Sequence, residues 1–305
     1  EEDLCVPSPR GVPFEEAPEL SLAQVTDQVV QRLGGPDFVV VNFANGDVIG
    51  HTSSNEAKIA AAGHVSRHLG RLAQEAMAKD YVVLITADHG NLEVMTTPEG
   101  KPDVAHTTNL VPFFVLDPRR KDAPVSPMDG SLSGVAPTVL HIMGIPKPPE
   151  MAAQTLVPGE EFGKGRKVLL VILDGWGLGK EDDANPIFLG DTPYWDSLLT
   201  NYPHGSLNAS GGFVGLGEGK AGNSEAGHLN LGAGRVVPQD DIRLDTAMAD
   251  GSFEQNPVFV EAIRRTRERG AALHLLSYLT KRSSHGSIDY ALALCRMAKD
   301  LPEVY

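Results

Sequence analysis

The sequence predicts an α/β fold with a largely parallel, buried sheet. Short, continuously apolar runs alternate along the chain with stretches whose apolar residues recur at helical spacing. Unbroken apolar runs are typical of parallel strands, because crossover helices cover both faces of a parallel sheet. The composition agrees, since 41% hydrophobic and 22% charged residues are ordinary for a globular protein of 305 residues.

Five runs fit the strands of this sheet. Each is short and apolar in its interior, and they cover residues 37–43, 81–86, 111–116, 167–173 and 272–276. Helical spacing predicts helices over 21–33, about 55–79, from 256–257 onward and over 287–299. Ser21 and Gln24 form the pattern of a capping box, and Asn256 followed by Pro257 is a typical helix start.

Charge and cysteine content narrow the possible partners. A net charge of −14 without a basic patch argues against nucleic acid, and a phosphorylated substrate would need local positive charge such as bound metal ions. Two cysteines suit a reducing compartment, although one bridge between them remains open. The N-terminal residues do not resemble a signal peptide, and no apolar run approaches the roughly 18 residues of a membrane helix. We expect a cytoplasmic protein without a membrane partner, and its oligomeric state stays open.

Acidic and histidine side chains follow three of the predicted strands. Asp174 follows the run at 167–173, Asp88 and His89 follow 81–86, and Asp47 and His51 follow 37–43. Because ligands bind at the carboxyl ends of strands in open α/β sheets, these side chains could converge on one edge. A sixth candidate, His106, lies just before the run at 111–116.

This set of three Asp and three His suits Mn²⁺, Zn²⁺ or Mg²⁺, and six ligands suggest two metal ions. Each residue also has an ordinary alternative, since a strand-end Asp often caps a helix and a single His is often only structural. The joint occurrence of the six residues favours the metal site.

A glycine-rich segment, 217–235, places Ser224 where a helix could begin. Free N–H groups and the helix dipole at such a position favour phosphate, although the serine could equally be a plain N-cap. A serine hydroxyl needs a base or a metal to act as a nucleophile. The sequence shows no Ser–His–Asp order and no P-loop, so a nearby metal is the expected activator.

Several segments resemble the signature segments of cofactor-independent phosphoglycerate mutases, within the alkaline phosphatase superfamily. The segments are VLLVILDGWGLG, GKAGNSEAGHLNLGAGR, NFANGDVIGHT, ITADHGN and AHTTNLVPF. The resemblance implies a three-layer alkaline-phosphatase-like domain, a mostly parallel central sheet flanked by helices, and two divalent metal ions, with Mn²⁺ ahead of Zn²⁺ and Mg²⁺.

The resemblance also assigns roles to residues. It implies one metal held by Asp47, His51 and His106, and a second held by Asp174, Asp88, His89 and the Ser224 oxygen. Ser224 would become phosphorylated and pass the phosphoryl group on. Asn223 and Arg235 would contact phosphate oxygens, or else be a turn residue and a surface charge.

The chain departs from the family in the order of its segments. Residues 1–157 resemble the part of the phosphatase-like domain that comes last in the family, and 167–270 resemble the part that comes first. The chain therefore reads as a circular permutant, natural or constructed, joined by a linker at 158–166. Such a rearrangement is tolerated when the original termini lie close together at the surface.

The family's second domain is almost wholly missing, and only 271–305 resembles a remnant of it. His285 aligns with a substrate-contacting histidine of the family, whereas Lys281 and Arg282 occupy a segment that has lost an aspartate. These two cations are either a solvated loop pair or a substitute anion clamp.

Three functions remain open. The leading one is metal-dependent phosphoryl or phosphonyl transfer through phospho-Ser224, as a hydrolase or transferase, on a small phosphorylated carboxylate. The second is phosphoglycerate mutase activity, which would require either that another chain supplies the missing half or that the substrate is bound in a different way. The third is a non-catalytic binding protein on the same fold, against which the retention of all seven proposed metal-site residues argues.

Overall fold

The computed structural model describes residues 2–120, 122–281 and 286–305. Within these, the chain forms two compact units, Glu1–Val237 and Pro238–Tyr305. The assignment of segments 1–157, 158–166, 167–270 and 271–305 to parts of a permuted family remains a prediction.

The first unit contains all the strands that the structure describes. Its strands are β1 (Phe38–Phe43), β2 (Tyr81–Thr86), β3 (Val111–Leu116), β4 (Gly130–Ser131), β5 (Lys167–Leu173) and β6 (His204–Asn208). Its α-helices are α1 (Leu22–Arg32), α2 (Asn45–Gly50), α3 (Asn55–Ala78), α4 (Val135–Met143), α5 (Pro186–Leu189), α6 (Pro193–Asn201) and α7 (Ser224–Ala233).

The six strands form one sheet in the order β1-β5-β2-β3-β6-β4. Strand β5 runs parallel to both β1 and β2, with Val171 opposite Val41 and Leu169 opposite Val83. Strand β3 is antiparallel to β2 and to β6, and β4 is parallel to β6. Three of the five pairings are therefore parallel, which confirms the predicted α/β class with a mostly parallel sheet.

Helices flank this sheet and bury its central strands. Helix α3 packs against β2, with α1, α5 and α6 beside it, while α4 packs against β5 and α7. Every residue of β2 and β3 is buried. Full burial of a large side chain such as Ile85 or Phe114 contributes roughly 1.5–3 kcal/mol, so the centre of the sheet anchors the fold.

Four of the five predicted strands and all four predicted helices are present. The strand predicted at 272–276 is wrong, because the structure has only an isolated bridge between Leu273 and Val304 there. An apolar run becomes a strand only where another backbone edge pairs with it, and Leu276 is fully exposed. The capping box is also wrong, since the Ser21 hydroxyl donates to the Pro7 carbonyl, 2.7 Å away, and caps no helix N–H.

The second unit is helical. It contains α8 (Asp240–Asp250), α9 (Pro257–Arg269) and α10 (Ile288–Met297), with Ile263, Ala298 and Leu301 as a small apolar core. Asn256 caps α9 by accepting a hydrogen bond from the Val258 N–H, as its position before Pro257 predicts. Across the described residues of both units, none of the helices combines the length and apolarity needed to cross a bilayer.

Candidate metal centre

The candidate site lies at the edge of the sheet where the parallel strands end. Asp174 directly follows β5, and Asp88 and His89 come two and three residues after the end of β2. Strand β1 leads into the short helix α2, which carries Asp47 one turn before His51. The carboxyl ends of parallel neighbours meet at one edge, so these five side chains converge.

His106 reaches the same edge because β3 is antiparallel to β2. The start of an antiparallel strand lies beside the end of its neighbour, and His106 precedes β3 by five residues. An isolated bridge between Gly90 and Thr107 fixes this segment against the loop that follows β2. The antiparallel direction of β3 therefore places His106 at the edge of the site.

One cluster consists of Asp47, His51 and His106. His106 Nε2 lies 2.9 Å from Asp47 Oδ1 and 3.0 Å from His51 Nε2. His51 Nε2 lies 3.2 Å from the same Asp47 oxygen. Three ligand atoms on three side chains thus lie close enough together to hold one metal ion.

The outer nitrogens of both histidines face backbone carbonyls. His51 Nδ1 lies 2.7 Å from the Val104 oxygen, and His106 Nδ1 lies 2.8 Å from the Gly222 oxygen. A carbonyl can only accept, so each Nδ1 donates to it and each Nε2 faces Asp47. Two Nε2 atoms and a carboxylate oxygen then converge, and a cation could bind all three.

A second cluster surrounds His89. Its Nε2 lies 3.4 Å from Asp174 Oδ1, 3.6 Å from Asp88 Oδ2 and 3.7 Å from Asp47 Oδ1. Asp47, His89 and Asp174 could hold a metal ion together, so Asp47 faces both clusters. The predicted second set named Asp88 and Ser224 in place of Asp47, and the structure brings all five of these residues together.

Asp88 is the most deeply buried carboxylate of the group, with no exposed surface. Its Oδ1 accepts the backbone N–H groups of His89 and Gly175, at 3.0 and 3.2 Å. Its Oδ2 is buried without a hydrogen bond, because His228 Nδ1, although 3.2 Å away, points its proton at the Ser224 carbonyl. An orphaned carboxylate oxygen in the interior is costly and fits a metal ligand.

The charges of these groups depend on one another. Burial disfavours ionisation of Asp47, but the hydrogen bond from His106 and the charge of His89 lower the pKa of Asp47 to about 2. Burial likewise opposes a charge on His89, but its hydrogen bond with Asp174 and the charge of Asp88 raise the pKa of His89 to about 9. Burial raises the pKa of Asp174. This surplus of carboxylates around His89 favours a cation at the same place.

Ser224 is the first residue of α7 and faces the second cluster. Its Oγ lies 3.1 Å from His89 Nε2 and donates to Asp174 Oδ1 at 3.1 Å. The N-cap is Asn223, whose side chain accepts the Ala226 N–H, so Ser224 is not the cap. Its hydroxyl therefore remains available to a ligand beside the free N–H groups of the first turn.

A close approach of two backbones places Ser224 there. Gly227 of α7 lies so near Asp88 that an added Cβ would stand 2.5 Å from the Asp88 carbonyl oxygen and 2.7 Å from its Cβ. Only glycine allows the helix to lie this close. The glycine-rich segment thus brings the serine to the candidate metal ligands.

Three of the five predicted substrate-binding residues lie in the described part of the chain. Asn223 has a capping role, and Arg235 and Lys281 are exposed. Arg282 and His285 lie outside the described residues. Their predicted roles in substrate binding remain predictions.

Sequence reasoning missed four polar residues around the site, namely Asn42, Asn91, Glu93 and His228. Asn42 Nδ2 donates to Asp174 Oδ2 at 2.9 Å, and Asn91 Nδ2 donates to Asp47 Oδ1 at 3.3 Å. Asn42 and Asn91 stand inside the NFANGDVIGHT and ITADHGN segments that carry the ligands. Their place in these segments was the one signal that could have found them.

Comparisons with known proteins identify the family of this chain. A model of the Metalloenzyme superfamily matches residues 1–147 and 166–294. A 2,3-bisphosphoglycerate-independent phosphoglycerate mutase of Moorella thermoacetica is 45% identical over 157 residues, which are 52% of this chain and 30% of that protein. The enzyme of the same name from Bacteroides thetaiotaomicron is 47% identical over 135 residues, 44% of this chain and 27% of that protein.

Among solved structures, a Leishmania mexicana phosphoglycerate mutase determined at low cobalt concentration is 31% identical, with a TM-score of 0.43. The alignment covers 51% of this chain and 31% of that one. The chain spans about 30% of the length of the curated relatives it matches. The expected resemblance to cofactor-independent phosphoglycerate mutases is confirmed, and the match over both segments shows that the chain belongs to the metalloenzyme superfamily.

Proposed function

We propose that this chain catalyses metal-dependent phosphoryl transfer with Ser224 as the nucleophile. The observation that supports this most directly is the position of Ser224 Oγ, 3.1 Å from both His89 Nε2 and Asp174 Oδ1, at the start of a helix. A hydroxyl beside metal-ligating groups and free N–H groups can attack a phosphorus atom whose oxygens those groups bind.

In the proposed transfer step, one bond to phosphorus forms and another breaks. A bond forms between Ser224 Oγ and the phosphorus, and the bond from phosphorus to the leaving oxygen of the substrate breaks. The hydroxyl proton, which Ser224 donates to Asp174 Oδ1 in a hydrogen bond before the reaction, passes to solvent as the new bond forms. The leaving oxygen takes up a proton from solvent or from a neighbouring acid, and phospho-Ser224 then passes its phosphoryl group to water or to a second acceptor.

The residues that would hold the metal ions are those of the two clusters. Asp47, His51 and His106 would bind one ion, and Asp88, His89, Asp174 and Ser224 would bind the other, with Asp47 near both. When bound, divalent cations would neutralise the charge on the transferring oxygens and assist loss of the serine proton. Mixed oxygen and imidazole ligands suit Mn²⁺, Zn²⁺ or Mg²⁺, and the resemblance to the mutases favours Mn²⁺ among them.

The substrate that we propose is a small phosphorylated or phosphonylated carboxylate. A net charge of −14 offers such an anion no general attraction, so recognition would depend on the metal centre and on the N-terminus of α7. Hydrolysis or transfer to another acceptor is the outcome that we propose first for this centre.

Phosphoglycerate mutase activity is the second candidate. It is favoured by the two relatives described above, which are phosphoglycerate mutases and are 45% and 47% identical over the matched residues. A mutase would have to keep the dephosphorylated intermediate in the site until phospho-Ser224 transfers the phosphoryl group back to it. The two matched segments, separated by 148–165, are compatible with the permuted arrangement that we propose for this chain.

A phosphatase assay tests the proposal. Purified protein loaded with Mn²⁺ should hydrolyse a generic phosphomonoester, lose this activity with a chelator, and lose it in Ser224→Ala. Ser197→Ala, an exposed serine of α6, is the matched control and should retain the activity. Equal activity in wild type and Ser224→Ala would refute the role of Ser224, and absence of both metal and hydrolysis in wild type would favour a non-catalytic protein.

Incubation with 3-phosphoglycerate separates the two catalytic candidates. Release of free phosphate without 2-phosphoglycerate would establish the hydrolase and exclude the mutase under those conditions. Formation of 2-phosphoglycerate would establish the mutase. Mass spectrometry of the trapped protein should show one added phosphoryl group in wild type and none in Ser224→Ala.

A further inference from the structure

We infer that Glu93 is a positioning residue that fixes the ligand segments of the candidate metal centre relative to one another. Glu93 is only 1% exposed and is not among the proposed ligands. This inference rests on the proposed function, because it concerns the geometry of that same site.

Glu93 accepts hydrogen bonds from four groups. Its Oε2 accepts the backbone N–H groups of Asn91, at 2.8 Å, and Gly177, at 2.9 Å. Its Oε1 accepts the Thr107 hydroxyl and the Asn109 amide, the latter at 2.9 Å. An ionised carboxylate offers only acceptors, which matches four converging donors.

These donors belong to the segments that carry the metal ligands. Asn91 lies two residues after His89, Gly177 three residues after Asp174, and Thr107 next to His106. The Asn91 side chain in turn donates to Asp47. One carboxylate therefore links the segments bearing residues of both clusters, although none of its four hydrogen bonds comes from a candidate ligand.

The chain also leaves space for this side chain. A Cβ on Gly177 would stand 2.4 Å from Glu93 Oε1, and a Cβ on Gly90 would stand 2.5 Å from the same oxygen. Glycine at both positions lets the two ligand-bearing loops close around the carboxylate.

The charge of Glu93 is balanced by hydrogen bonds and not by a cation. Among the described residues, no lysine, arginine or histidine forms an ion pair with it. A buried carboxylate is costly unless it is fully hydrogen-bonded. Moving any of the three ligand segments would break one of these bonds, so Glu93 opposes such movement.

The test compares Glu93→Gln with Asp117→Asn. Glutamine keeps the volume of Glu93 but presents an N–H₂ group to donors, so the segments should separate. Asp117 is a buried carboxylate in the ion pair with Arg166, and none of its hydrogen-bond partners belongs to a ligand segment. Asp117→Asn is thus a control for destabilisation alone.

We expect Glu93→Gln to bind Co²⁺ about 10- to 100-fold more weakly and to change the visible spectrum of the Co²⁺-loaded protein. Asp117→Asn should lower the melting temperature and leave Co²⁺ affinity and spectrum unchanged. Wild-type affinity and spectrum in Glu93→Gln, or equal changes in Asp117→Asn, would overturn the inference.

A second variant, Thr107→Val, tests the same hydrogen-bond network. If Glu93→Gln does not fold, Thr107→Val removes one donor with little change of shape and should shift the Co²⁺ spectrum in the same direction. An unchanged spectrum would then count against Glu93.

If wild type binds no Co²⁺, the proposed function fails. Hydrogen exchange of the metal-free protein then tests the linkage itself. Faster exchange at 89–91, 104–109 and 175–177 in Glu93→Gln than in Asp117→Asn would support it, and equal exchange would refute it.

Discussion

Asn42 on β1 donates a hydrogen bond to Asp174 at the end of the neighbouring strand β5, with 2.9 Å between Nδ2 and Oδ2. This bond turns the other oxygen of Asp174, Oδ1, toward Ser224 and His89. The strand pairing therefore orients a candidate metal ligand as well as building the sheet.

Replacement of Asn42 tests this orientation. Asn42→Ala should weaken Mn²⁺ binding by about 10- to 100-fold, because outer partners of metal ligands hold them in the binding orientation. Isothermal titration calorimetry measures the change. Asn208→Ala, which removes a side-chain hydrogen bond from β6 to the Gly130 carbonyl, is the control and should bind Mn²⁺ normally. Normal binding in Asn42→Ala would show that Asp174 needs no such partner.

The close packing of α7 gives a second prediction. Gly227→Ala should cost about 1–3 kcal/mol of unfolding free energy and reduce turnover, because the new Cβ would push Ser224 away from Asp88. Gly232→Ala in the same helix meets no atom within 4 Å and should be neutral or slightly stabilising. Chemical denaturation and the phosphatase assay measure both variants. Similar behaviour of the two would contradict the packing argument.

Metal content tests the division into two clusters. His106→Ala removes one ligand of the first cluster, so the bound Mn²⁺ should fall from two ions per chain to one. His204→Ala removes an exposed histidine of β6 and should leave two ions. Elemental analysis after dialysis gives the count. Retention of two ions in His106→Ala would remove this residue from the ligand set.

The convergence of the candidate ligands could be predicted because parallel strands end at one edge of a sheet. Asp47, Asp88 and Asp174 follow apolar runs that the structure confirms as β1, β2 and β5. His106 precedes an antiparallel strand, and strand direction does not follow from an apolar run alone. The sequence therefore shows that His106 could bind a metal ion, but only the family resemblance predicts that it lies at this site.

Other features depend on contacts that the sequence does not encode locally. The roles of Asn42 and Glu93 are hydrogen bonds between segments up to 132 residues apart. Strand β4 has two residues and gives no apolar pattern, and residues 272–276 have the pattern without a partner strand. Pairing and long-range hydrogen bonds, rather than local propensity, decide these cases.

A buried ion pair provides a prediction about stability. Arg166 precedes β5 and forms two hydrogen bonds with Asp117, which follows β3, and both side chains are buried. Arg166→Met should destabilise the protein by about 3–5 kcal/mol, because it leaves the Asp117 charge uncompensated.

Urea denaturation measures this loss. Arg119→Met removes the exposed pair with Asp80 and should change stability little, since solvent screens such a pair. A small effect of Arg166→Met would mean that solvent or Arg120 compensates Asp117.

Anomalous X-ray diffraction from crystals soaked in Mn²⁺ tests the central claim most directly. We expect two peaks, one among Asp47, His51 and His106 and one among Asp88, His89, Asp174 and Ser224. Peaks elsewhere, or no peak at the ends of β1, β2 and β5 under saturating Mn²⁺, would contradict the metal centre and the role of Ser224 that depends on it.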